Sequence, residues 1–160
     1  MLDDFIKYDE TFLGKSCILM LFLNKEKDLE KLFGENSKKC KEIITMIKGQ
    51  KNLLWIGKTS NSQCRIDDFY SPIKRENSLQ ESVAQLMAGI KITSDKNQYK
   101  KIRILIAEWL KNNTTFYARL CSSFDELDSE IIKKDLIKKY NLPFNRRYNK
   151  ANFNKILFTE

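Results

Sequence analysis

The chain has 160 residues, with 29 lysines and arginines against 21 aspartates and glutamates, no histidine and four cysteines. One compact domain is the expectation at this length, and with no histidine and with Cys17, Cys40, Cys64 and Cys121 widely spaced, neither a zinc site of the usual ligand sets nor a disulfide framework fits. The apolar run Cys17 to Leu23 is short and is followed by Lys25-Glu26-Lys27-Asp28, so no signal peptide or membrane span is expected, and the protein reads as soluble and cytoplasmic with reduced thiols.

Taken in order, residues 1–41 read as an extension packed on the domain that follows. Cys17 to Leu23 is compatible with a buried strand or a buried helix, Leu29, Leu32 and Phe33 fall at helical spacing, and Gly34 offers a stop. The run Ile43-Ile44-Thr45-Met46-Ile47 and the run Asn52 to Ile56 flank Gly49-Gln50-Lys51, so the two predict a β-hairpin. Gly57-Lys58-Thr59-Ser60-Asn61 then carries a lysine, hydroxyls and an amide beyond the tip, with Arg65 close behind.

Asn61 or Ser62 is placed to cap a helix bearing Arg65, which Pro72 ends. Ser78 with Glu81 forms a capping box ahead of Val83, Leu86, Met87 and Ile90. Ile102 to Leu110 predicts a third helix, Asn112-Asn113 a turn, and Thr115 to Cys121 a strand. A second capping box, Ser123 with Glu126, opens a late helix with Leu127, Ile131 and Tyr140 near one face and Lys133, Lys134, Lys138 and Lys139 on the other. Trp55, Ile56, Leu86, Trp109, Ile131 and Tyr140 are the expected core. The fold class is therefore α+β, a small antiparallel or mixed sheet flanked by helices.

Charge is unevenly spread. Residues 1–48 carry nine acidic and nine basic side chains, whereas 49–110 and 111–160 each carry ten basic and six acidic, so the whole +8 lies after residue 48. A basic balance confined to one region favours a polyanionic partner. Arg146 and Arg147, which follow Asn145, add guanidinium groups that match phosphate oxygens bidentately.

Four pieces in this order carry a resemblance: Ile56-Gly57-Lys58-Thr59 with Asn61 and then Arg65, Phe116-Tyr117-Ala118-Arg119, Leu136 to Tyr140, and Pro143-Phe144-Asn145. Over residues 42–150 the chain resembles the GIY-YIG endonuclease superfamily, its phage members in particular. The resemblance implies a double-stranded DNA partner, a phage or mobile-element setting, and Mg2+ or Mn2+ for phosphodiester hydrolysis. It assigns the cationic catalytic roles to Lys58 and Arg65 and DNA contacts to Lys58, Thr59, Arg65, Arg119, Asn145, Arg146 and Arg147.

The chain departs from the family where chemistry is concentrated. Glu42 to Lys48, the expected first strand, has no tyrosine, and Trp55 stands where the family has one; an indole N–H only donates and takes no proton from water. The position of the family's metal-binding glutamate falls on Ile132 or Lys133, leaving Glu130 or Asp135 as ligands only if the late helix is shifted. The expected function is DNA binding on an endonuclease-like fold with phosphodiesterase activity weak or lost. The alternatives are an active metal-dependent endonuclease and a protein-interaction module using residues 1–41.

Overall fold

A computed structural model describes residues 2–71, 77–89, 96–121 and 126–160. Its described elements in chain order are β1 (Ile6–Lys7), β2 (Cys17–Leu23), α1 (Glu30–Phe33), α2 (Lys38–Ile47), β3 (Leu53–Thr59), α3 (Ser62–Tyr70), α4 (Ser78–Ala88), α5 (Lys96–Asn113), β4 (Thr114–Leu120), α6 (Glu126–Lys139) and α7 (Lys150–Leu157). The four strands form one sheet in the order β1-β4-β2-β3, antiparallel at every pairing. Helices flank the sheet, so the α+β class stands and the sheet is purely antiparallel.

β2 is the centre of the sheet. It pairs with β3 from Cys17 opposite Thr59 to Phe22 opposite Leu53, and with β4 from Cys17 opposite Leu120 to Leu23 opposite Thr114. A strand paired on both edges and covered on both faces has no polar side to show, which is why its sequence is continuously apolar rather than alternating. Residues 17–23 are thus part of the sheet itself and not a layer added to it. Burial of Cys17 in this strand pushes its thiol up to about 12.

The predicted hairpin is also corrected. Residues 43–47 belong to helix α2, in which Cys40, Ile43, Met46 and Ile47 are buried at a spacing of three, three and one. The Ser37 side chain caps it by accepting from the Cys40 N–H at 3.4 Å. Gly49, Lys51 and Asn52, all at positive φ, then turn the chain into β3.

Side chains of alternate strand residues build two cores. On one face Leu19, Leu21, Trp55, Phe116 and Ala118 pack with residues of α2, α3, α4, α5 and α7. On the other, Ile18, Met20, Leu53 and Ile56 pack with Leu136 and Ile137 of α6 and with Leu142. A bulge falls between the pairs Leu21–Trp55 and Phe22–Leu53, so Leu54 is the extra residue of β3. Trp55, Ile56, Leu86 and Trp109 are buried, Tyr140 is half-buried, and Ile131 is 50% exposed, on the outer side of α6.

Helix starts differ from expectation in detail. Asn61 caps α3, accepting from the Cys64 N–H at 3.2 Å. Asn77, not Ser78, caps α4, accepting from the Gln80 N–H at 2.9 Å, and Ser78 is its first helical residue. The third helix is longer than predicted and runs without a turn through Asn112 and Asn113 into β4. Ser123, the proposed cap of the late helix, lies outside the described residues. Among the described residues no helix is long and apolar enough to cross a membrane.

Candidate phosphate-binding cleft

β3 is an edge strand, and its outward N–H and C=O groups need partners. The turn after α6 supplies them. Phe144 N–H donates to the Leu54 carbonyl at 3.1 Å, where the bulge has redirected it. The Asn145 side chain then brackets Ile56: its Oδ1 accepts from the Ile56 N–H at 3.0 Å and its Nδ2 donates to the Ile56 carbonyl at 2.9 Å. Gln50 does similar work at the start of the strand, donating to the carbonyls of Leu53 and Asn141 and accepting from the Asn141 N–H. The segment 141–145 thereby closes the first half of the edge.

Asn145 is 6% exposed and both ends of its amide are spent on backbone, so it shapes the site instead of reaching outward. Asn145→Ala is expected to cost about 2–4 kcal/mol, because two buried backbone groups of Ile56 lose their partners. A fall in the urea midpoint at unchanged slope checks this, and an unchanged midpoint counts against it.

Beyond that closure, a cleft of about 410 Å³ straddles the β3 edge. Trp55, Ile56, Gly57 and Lys58 form its floor, Arg65 of α3 and Ser78 and Ser82 of α4 one wall, and Lys133 and Ile137 of α6 the other, with Phe144, Asn145, Arg146 and Arg147 closing it. Gly57 is required here by packing. A Cβ on it would lie 2.0 Å from Cη2 and 2.4 Å from Cζ2 of Trp55, whose indole lies across the glycine and meets Phe69 edge-on at 5.2 Å.

Among the described residues five cations line the cleft, Lys58, Arg65, Lys133, Arg146 and Arg147, and no carboxylate does. At least two of them, Arg146 and Lys133, are held by acids just outside it. Arg146 Nη2 lies 3.5 Å from Glu81 Oε2 and its Nη1 donates to Gln85 Oε1 at 3.1 Å. Lys133 Nζ lies 3.5 Å from Glu130 Oε1, one helical turn back. These exposed and half-exposed pairs add little stability; their effect is to hold two long side chains at the cleft wall.

The other predicted residues are placed as follows. The Thr59 hydroxyl donates to the Asn61 carbonyl at 2.9 Å and accepts from the Asn61 N–H at 3.1 Å, so the side chain builds the turn into α3 and stays out of the cleft. Arg119 and Lys58 are both opposite Ile18, on the α6 face and two strands apart, about 10 Å at the usual strand spacing. Arg119 is therefore near the cleft but outside its lining.

Among the described residues none of the expected metal ligands lines the cleft. Lys133 occupies the cleft from α6, Ile132 packs against the second core, Glu130 is engaged by Lys133, and Asp135 is exposed away from the lining. Among the described residues no group of three His, Cys, Asp or Glu side chains is arranged to hold a metal. Nor does the strand beside β3 supply a proton acceptor, since β2 contains no tyrosine. Tyr70 and Tyr117 do not line the cleft, and burial pushes the Tyr70 phenol up to about 12.

Two lining residues, Ser78 and Ser82, were not among the residues expected at the site. The two serines stand at i and i+4 of one helix, a spacing visible in the sequence, whereas the capping-box reading concerns Ser78 with Glu81. Comparison of the chain with protein-family models, with curated proteins and with solved structures returned no match in any of the three.

Proposed function

We propose that this protein binds double-stranded DNA through the cleft at the β3 edge, on a GIY-YIG-endonuclease-like fold whose hydrolytic activity is weak or absent. The observation that carries the reading is the lining itself: among the described residues, five cations and no carboxylate stand around the cleft. Such a surface suits phosphodiester groups, with arginines for bidentate contacts and lysines as point charges. Three of the four pieces that carry the family resemblance border the cleft, Phe116 to Arg119 being the exception. Ile56 to Lys58 is the floor, α6 is a wall, and Asn145 ties the closing turn to Ile56.

Binding and cleavage separate on inventory. Lys58 and Arg65 bind a phosphate and stabilise added charge on it, but hydrolysis also needs an attacking water relieved of its proton. No described residue lining the cleft is a carboxylate, a tyrosine or a histidine, and each missing group normally costs orders of magnitude in rate. Plasmid DNA incubated with the protein and magnesium or manganese is accordingly expected to remain almost wholly supercoiled, while a labelled duplex is retarded at low salt. Strong nicking that vanishes in Arg65→Ala and in Glu130→Ala or Asp135→Ala would reverse this reading and identify the acid that acts.

A further inference from the structure

Tyr148 stands at the rim of the cleft and belongs to neither core. It is the most exposed of the six tyrosines, at 39%. Its backbone is left-handed, with φ +63°, a conformation that costs a residue with a Cβ and persists only where neighbours enforce it. The neighbours are identifiable. Buried Asn145 grips Ile56 on one side of the turn, and buried Asn149 donates to the carbonyls of Leu142 and Asn145 on the other. The ring is thus carried outward on a turn fixed at both ends.

Three cations surround that ring. Lys134 Nζ lies 4.9 Å from its centroid, Arg147 Cζ 5.0 Å and Lys133 Nζ 5.9 Å. Lys133 and Arg147 also line the cleft, so the groups suited to phosphate and the exposed ring form one continuous surface. Exposed cation–π contacts are individually weak, and three like charges around one ring repel each other, so the fold gains little from this arrangement. Its components are those of a single-strand binding surface, in which cations follow the backbone and an aromatic face takes a base.

We propose that Tyr148 is a stacking platform for an unpaired base of the DNA whose phosphates occupy the cleft. This rests on the DNA-binding reading and narrows its ligand to DNA with a gap, overhang or extruded base at the bound position. An extruded base has already lost its stacking partners, so the ring replaces a contact that intact duplex keeps within itself.

The test compares a blunt duplex with the same duplex carrying a short gap that holds one 2-aminopurine, whose fluorescence falls when it stacks. The wild type is expected to bind the gapped DNA about tenfold more tightly, with quenching on binding. Tyr148→Leu keeps bulk and all three cations, and should lose both the preference and the quenching at an unchanged salt slope. Tyr148→Phe should keep them. Equal wild-type affinity for the two DNAs overturns the proposal while leaving DNA binding intact. So does a Leu variant that weakens both DNAs alike with a reduced salt slope, which would make the ring a spacer for the cations. Wild-type protein with no salt-sensitive binding to either DNA removes the DNA reading itself, and this proposal with it.

Discussion

Gly57→Ala is expected to destabilise the protein by about 3 kcal/mol, the upper range for adding a methyl group to a packed site. The Cβ would fall 2.0 Å from Cη2 of Trp55, and three indole atoms lie within 2.9 Å of it. The indole has little room to yield: Trp55 is 7% exposed and packs edge-on against Phe69, which in turn stacks on Phe116 at 5.5 Å. Either the indole leaves this stack or β3 shifts against β2, and both disturb the cleft floor formed by Trp55 and Gly57.

The cause is checkable by a double-variant cycle. Trp55→Leu alone should also destabilise, by loss of aromatic packing. Combined with Gly57→Ala, however, it should cost much less than the two single effects added, because the clash is gone. Urea unfolding of the four proteins measures this. Simple additivity would show that the indole is not what Gly57 accommodates.

The parts of this fold legible in sequence are those whose signal was local. Leu53 to Ile56, preceded by turn residues, reads as a strand and is one, but the strand does not stop at Gly57: Gly57, Lys58 and Thr59 lie within it, paired with Leu19, Ile18 and Cys17, and not beyond its tip. The helices bearing Arg65 and Val83 follow from caps and spacing, although Asn77 and Ser78 are both competent caps and only the backbone geometry chooses Asn77. Ile43 to Ile47 was misread because a five-residue window cannot separate strand from helix; widening it to Cys40 and the Ser37 cap reveals the helical period.

Strand β2 was ambiguous for a different reason. A central strand with both faces buried has no alternation to display, and its partners lie about 35 and 95 residues away in sequence, beyond any local signal. Residues 1–41 contribute the sheet's central strand. This bears on the protein-interaction alternative: removing residues 1–40 takes away the sheet's central strand, so no partner surface on that segment can be tested by deletion.

At the site, residue type was enough for charge and not for role. Lys58, Arg65, Arg146 and Arg147 line one cleft. Thr59 and Asn145 have equally suitable chemistry for phosphate, yet both are used by the backbone beside them. Whether a polar side chain faces the ligand or its own scaffold depends on which backbone groups the fold leaves unpaired, and here those of the β3 edge decided it. Tyr148 could not be separated from core aromatics by sequence, because its exposure comes from the turn between Asn145 and Asn149.

The second large effect concerns the cleft charges. Replacing Lys58 and Arg65 together with alanine removes two of the five cations found among the described residues of one lining, neither used in the bracketing of Ile56 by Asn145. Each phosphate neutralised releases counterions, contributing about −0.9 to the slope of log affinity against log salt. Because Arg146 and Lys133 share their charge with Glu81 and Glu130, the wild-type slope is expected between about −3 and −4.5. That is roughly a hundredfold loss of affinity between about 50 and about 200 mM salt.

The most direct measurement is therefore the duplex-DNA affinity of the wild type and of Lys58→Ala/Arg65→Ala across that salt range, with urea midpoints showing both folded. The cleft account predicts a slope shallower by about 2 in the double variant and an affinity at least tenfold weaker at the low-salt end. A wild-type affinity indifferent to salt, or a double variant that matches the wild type in both slope and affinity, would contradict it.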